Sequence, residues 1–185
     1  MDNEKIIVDA LRNRTSPKAS RSRKAGSKAT KKAKASKPKR LKKEKLSTIR
    51  NRLMKLWIAR CVEIYDHKCA ICGDEVKPNA HHIVNRDISP ALRFDPNNSI
   101  ALCASHHKFG LASAHKNGVW FAHWLEQHAP MQHKYILDHT DDLININDRE
   151  TLYKLESVLR APVTNSEKLF HGVMENDNKG DIGGD

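Results

Sequence analysis

Two adjacent pairs of histidines, His81–His82 and His106–His107, are the residues of this chain best suited to chemistry. An imidazole with an ordinary pKa of about 6.5 can take a proton near neutral pH or hold a divalent ion through a bare ring nitrogen. Asn98 lies between the pairs, and three cysteines frame them. Cys69-Ala-Ile-Cys72 precedes the first pair and Cys103-Ala-Ser-His106 runs into the second, one spacing used twice. Two intervening residues let the chain turn so that both ligand atoms face one ion, which makes these four a Cys3His set for tetrahedral structural zinc. Zinc would also explain how so small a core folds, because metal binding contributes folding free energy directly. His106 and His107 are neighbours whose roles are exchangeable on spacing; the repeated spacing favours His106 for the zinc.

In order and spacing, Cys69-x2-Cys72, His81-His82-Ile83-Val84, Asn98-x4-Cys103 and x2-His106-His107 resemble the HNH nucleases, a branch of the ββα-metal endonucleases. The resemblance covers residues 69–107 of 185. It implies an endonuclease that hydrolyses DNA phosphodiester bonds. His82 matches the family's general base, Asn98 its central asparagine and His107 its final metal-site histidine. His81 matches the position before the base, a metal ligand that is commonly Asp or His in the family. His106 stands where many zinc-bearing members have cysteine, and it remains a ligand type. The segment Ile88-Ser89-Pro90-Ala91-Leu92-Arg93-Phe94 and the aromatic stretch after Gly118 look like phage-encoded HNH proteins. More loosely, they resemble recombination nucleases of the NinG/Rap type, which cut branched DNA.

The chemistry explains these residue types. Cutting a phosphodiester needs a water made nucleophilic, charge on the phosphoryl oxygens stabilised and the leaving 3′-oxygen neutralised. A neutral His82 is suited to the first task, and a divalent ion held by His81 and His107 to the others. With imidazole ligands and no carboxylate recognised, that ion is expected to be Mn, Ni or Co in preference to Mg. Consecutive strand residues point to opposite sides, so the chain must bend for His81 and His82 to serve one phosphate. Asn98 is expected to fix the facing loop and the orientation of His82. Arg86 and Arg93 are expected phosphate contacts, and His115 is either a further one or a surface residue. The other histidines carry no spacing signal and are read as structural or exposed. The competing reading is a noncatalytic zinc-dependent DNA-binding or recombination-accessory protein, which leaves His82 and His107 without a task.

Around these residues the pattern predicts an α+β fold, a small ββα-metal core with a zinc knuckle, flanked by helices. Ser47 can cap a helix to about Asp66, with Ile49, Leu53, Trp57, Cys61 and Ile64/Tyr65 in one apolar stripe. Cys61 on that stripe is a packing residue rather than a ligand. Arg50, Arg52, Lys55 and Arg60 lie mostly off it and face solvent or DNA. Short strands are expected at Ala80–Val84 and Ile100–Leu102, separated by a loop over residues 85–98. Helices are expected from Ala104, over Val119–Gln127 and over Asp148–Arg160. The domain reading is a basic arm (1–45), a lead-in helix (46–66), the nuclease domain with its C-terminal helices (67–160) and a flexible acidic tail (161–185).

Charge is uneven along this plan. Residues 1–60 hold 21 Lys/Arg against 4 Asp/Glu, whereas the whole chain nets only +11. Residues 13–45 are Lys-, Arg-, Ala- and Ser-rich, too apolar-poor to offset ordering entropy, and are expected to be disordered. Lys39, Arg40, Lys42 and Lys43 belong to this arm, whose expected partner is double-stranded or branched DNA, held through counterion release. No apolar run is long enough to span a bilayer, and Met1-Asp2-Asn3-Glu4 is unlike a signal peptide. Cysteines at metal-ligand spacing suit a reducing compartment, so a cytoplasmic location is expected, and the resemblance to phage-encoded HNH proteins implies a bacterial or phage-infected cell.

Overall fold

The computed structural model describes residues 43–75 and 77–173. The chain divides into two units, residues 1–45 and 46–185. Lys39, Arg40 and Lys42 lie outside the described residues, as does nearly all of the expected arm; Lys43 is described and exposed.

The second unit is α+β. Helix α1 (Leu46–Ile64) is followed by strands β1 (Asn79–His82) and β2 (Ser99–Leu102), helices α2 (Gly118–His128), α3 (Pro130–His139) and α4 (Arg149–Arg160), and a short α5 (Asn165–Phe170). The two strands pair antiparallel, with Ala80 opposite Ala101 and His81 opposite Ile100. Between them, one-turn helices at Ala91–Phe94 and Pro96–Asn98 fold the expected loop, and a π-turn at Ser105–Phe109 follows β2.

The stripe on α1 organises the core. Ile49, Leu53 and Trp57 pack with Phe94 and with Leu152 and Leu159 of α4. One helical face further on, Cys61, Ile64 and Tyr65 pack with Ile100–Leu102 and with Phe121 and Leu125 of α2. All four residues of β2 are buried, so the small sheet is seated on α1 by its second strand. Cys61 is buried as expected, and burial pushes its thiol up to about 12. Ser47 falls inside the first turn of α1 rather than before it, a two-residue shift of the kind usual at helix ends.

Three basic residues of α1 are committed within the fold. Arg50 donates to Ile146 O, Arg52 pairs with both carboxylate oxygens of Glu156 at 2.9 Å, and Arg60 pairs with Glu167. Arg60 is itself buried. The DNA-facing alternative for these three is therefore corrected: Arg50 ties α1 to the segment before α4, Arg52 to α4 and Arg60 to α5.

The flexible-tail expectation is corrected over residues 161–173. There α5 is capped by Thr164, whose hydroxyl accepts from Glu167 N, and His171 is 2% exposed against Tyr65. The anchor is polar, which apolar periodicity does not register. Helix α3 was not expected either; Gln132 and Ile136 are its only buried residues, too few for a stripe. Among the described residues no helix is long and apolar enough to cross a membrane.

Candidate functional site

The knuckle forms where β2 ends. Ala70 N–H donates to Ala101 O at 2.8 Å, which fastens the first CxxC turn to the second strand. Gly73, at φ +70°, closes that turn with its N–H on Cys69 O; the left-handed backbone there suits glycine. Ligand atoms of Cys69, Cys72, Cys103 and His106 all lie within 4.8 Å of one another. His106 Nδ1 is 3.2 Å from Cys103 Sγ and 3.6 Å from Cys69 Sγ, and Cys72 Sγ is 4.0 Å from Cys103 Sγ. A tetrahedral ion with Zn–S of about 2.3 Å and Zn–N of about 2.0 Å separates its ligand atoms by about 3.5–3.8 Å. The four residues fit zinc, and His106, not His107, is the histidine among them. Burial opposes ionisation of the Cys69 thiol, but backbone amides of Cys103, Cys72 and Ile71 outweigh it and hold its pKa below the usual value.

The second cluster is made of imidazoles alone. His81 leaves β1 toward His107 and His115, with ring centroids 5.0 and 4.9 Å away, and the His107–His115 pair is also at 4.9 Å. Nε2 of His107 and Nε2 of His115 face each other at 3.2 Å. Two nitrogens sharing an ion at about 2.0–2.1 Å stand about 3.0–3.4 Å apart, so this triad fits a divalent ion with solvent-side positions open. Burial, then the neighbouring His107 and His115, hold His81 down to about 3; burial, then His115 and Lys108, lower His107. Both rings are thus neutral at pH 7, the form that ligates. Phe121 closes one side, 5.7 Å from His81.

Sequence reasoning missed His115 as a member of this triad. It is eight residues beyond His107, a separation without helical or knuckle periodicity. The loop returns because Ala114 N–H and His115 N–H donate to the carbonyls of His106 and His107, at 2.9 and 3.2 Å.

His82 leaves β1 on the other side, as strand alternation requires. Its ring stacks on Trp57, with centroids 3.7 Å apart and planes 9° from parallel. Trp57 is fixed in turn by its indole N–H on Asp95 O at 2.8 Å. His82 Nε2 is 2.9 Å from Arg93 O. A carbonyl only accepts, so Nε2 carries the hydrogen and Nδ1 keeps its lone pair. Burial lowers the pKa of His82; the Arg93 carbonyl opposes this, while the Arg86 and Arg93 guanidiniums add to it. No sequence signal linked Trp57 to His82, because the tryptophan reads simply as core.

Asn98 is fully buried and spans the loop between the strands. Its Oδ1 accepts from Val84 N at 2.7 Å, and its Nδ2 donates to Val84 O and Leu92 O at 2.9 and 3.0 Å. It does not bond His82 directly; it ties Leu92, the residue before the Arg93 carbonyl that does, to Val84, two residues after His82. Arg86 is exposed, whereas Arg93 is half-buried with its Cζ 5.8 Å from the Phe94 ring and its Nε without a hydrogen-bond partner among the described residues.

The site thus joins a Cys3His knuckle, a three-imidazole cluster and, next in sequence to His81, a stacked neutral histidine near two guanidiniums. No protein-family model, no curated protein and no solved structure matches the chain.

Proposed function

We propose that this chain is a divalent-metal-dependent endonuclease of the HNH type that hydrolyses DNA phosphodiester bonds. The observation that carries this reading is the cluster of three imidazoles, His81, His107 and His115, one residue from an oriented histidine that is not a ligand. The triad would hold the ion, which when bound supplies Lewis-acid stabilisation to a phosphoryl oxygen and to the departing 3′-oxygen. His82 accepts the proton of the attacking water at Nδ1, its Nε2–H being engaged by the Arg93 carbonyl. Arg86 and Arg93 bind the phosphate, and Asn98 holds the loop that orients His82. The Cys3His knuckle is structural, and three imidazoles without a carboxylate favour Mn, Ni or Co over Mg.

The test is cleavage of plasmid, single-stranded and four-way-junction DNA by wild type and His82→Ala in Mg, Mn, Ni and Zn. Wild type is expected to cut best in Mn or Ni. His82→Ala is expected to lose about a hundredfold or more, the usual share of a general base. Equal rates for the two proteins would remove His82 from the chemistry. A second reading is a noncatalytic zinc-dependent DNA-binding protein, favoured by a knuckle whose four ligands are complete without the histidine triad. Salt-sensitive binding with no cleavage in any ion would select it.

A further inference from the structure

Phe109 and Leu111 are 73% and 90% exposed on the turn that follows His107. Single exposed apolar residues are ordinary, but here two large ones stand two positions apart. The turn that presents them is held from several sides. Gly110 N–H donates to Ser105 O at 2.8 Å, and the Lys116 ammonium donates to Phe109 O at 2.8 Å. A Cβ on Gly110 would come within 3.1 Å of the Ser105 carbonyl oxygen, so the backbone packs tightly at its apex. The fold therefore holds both side chains outward beside the imidazole triad instead of folding them into the core.

Their surroundings identify a partner class. Lys108 and Lys116 flank the pair and are exposed, and no carboxylate occurs between Asp95 and Glu126. An apolar tip flanked by exposed lysines, on a stretch of chain without a carboxylate, complements a polyanion whose apolar faces are stacked inside it, which is DNA. Apolar side chains are known to enter base steps and partly unstack them. The reach is also right. Consecutive Cα atoms are about 3.8 Å apart, so the Cα of Phe109 is within about 7.6 Å of that of His107. Bases along a strand rise about 3.4 Å each, which puts the tip within about two base steps of a phosphate held at the triad.

We propose that Phe109 and Leu111 form a wedge that unstacks a base step of bound DNA next to the phosphate held by His81, His107 and His115. The position of that phosphate rests on the nuclease reading; the wedging can be read from binding alone. The experiment uses the full chain, wild type and the Phe109→Ala/Leu111→Ala double variant, with duplexes carrying 2-aminopurine at successive positions. Both changes are at exposed side chains, and equal zinc content of the two proteins checks that the fold is kept.

Wild type is expected to raise 2-aminopurine fluorescence several-fold at one or two adjacent positions, and the double variant to leave it unchanged. Cleavage of intact duplex by the variant should fall at least tenfold. On a duplex mismatched at the same step it should fall no more than about twofold, because that step is already unstacked. Unchanged fluorescence with wild type overturns the wedge, as does an equal loss of rate on both duplexes. It is also overturned if wild type sediments as a dimer that the double variant converts to monomer, since the apolar pair would then cover a second copy. A wild type that unstacks DNA but cuts none would overturn the nuclease reading and leave the wedge standing.

Discussion

In the proposed reaction His82 and Asn98 divide one task between a reacting side chain and the loop that aims it. The imidazole is gripped by Trp57 on its face and by the Arg93 carbonyl at Nε2, so its free nitrogen has a fixed direction before any substrate arrives. That carbonyl keeps its position because Asn98 bonds Leu92, the residue before it, and Val84, two residues after His82. Asn98→Ala removes three hydrogen bonds, one buried and two part-buried, and each buried polar group left unsatisfied costs about 1–3 kcal/mol. With partial relaxation, urea unfolding should show a loss of about 2–4 kcal/mol. The surviving folded enzyme should lose kcat with little change in KM, since Arg86 and Arg93 remain as phosphate contacts. A variant that keeps wild-type kcat would show that the loop needs no such anchor. The asparagine was legible as a motif residue, but its actual bonds were not: they run to backbone atoms distant in sequence, which no spacing rule encodes.

The π-turn at Ser105–Phe109 links the two ligand clusters through neighbouring residues, His106 facing the knuckle and His107 the triad. Zinc held by the knuckle would therefore also set where His107 stands. Mild chelation should remove the solvent-facing triad ion first and leave the circular-dichroism spectrum unchanged, with Mn restoring activity. Removing the knuckle zinc, or substituting Cys69→Ser, should unfold the segment from 69 to 107, because the ion supplies folding free energy there. A zinc-free chain melting at the wild-type temperature would remove the structural role. At the far end of the unit, α5 is held by Arg60–Glu167 and by His171, which faces Tyr65 and Arg60 from α1. Burial, then the Arg60 charge, holds His171 down to about 3, against about 6.5 when unfolded. Between those values the unfolded chain binds one more proton, so this contribution to stability is complete above about pH 6.5 and declines as pH falls toward 3. His171→Leu should flatten the acid limb of urea midpoints measured from pH 7 to 4; an unchanged slope would assign that limb to other groups. The helices α1, α2 and α4 were legible because each turns an apolar stripe inward. Helices α3 and α5 were not, because Gln132, Arg60, Glu167 and His171 fasten them through polar contacts that look like surface in a sequence.

Charge divides the chain into two unlike parts. Residues 1–42 carry 15 Lys/Arg against 3 Asp/Glu, whereas residues 43–185 carry 18 against 19 and are close to neutral. Every residue of the knuckle, the triad and the His82 pocket lies in the second part. Nonspecific affinity and cutting should therefore be separable. Counterion release makes log K fall with log salt by about 0.9 per phosphate neutralised on duplex DNA, so the slope counts the cations engaged. A chain beginning at Lys43 retains the whole unit from Leu46 onward and keeps Arg86 and Arg93. It should bind duplex DNA at least a hundredfold more weakly at low salt, with a salt slope reduced by more than half. Its kcat at saturating DNA should stay within about threefold of the full chain, because no group assigned to proton transfer or metal binding is removed. The opposite pattern, an unchanged slope with a collapsed kcat, would mean that residues 1–42 act in the cut itself and that the near-neutral unit finds DNA by its own two arginines and two lysines.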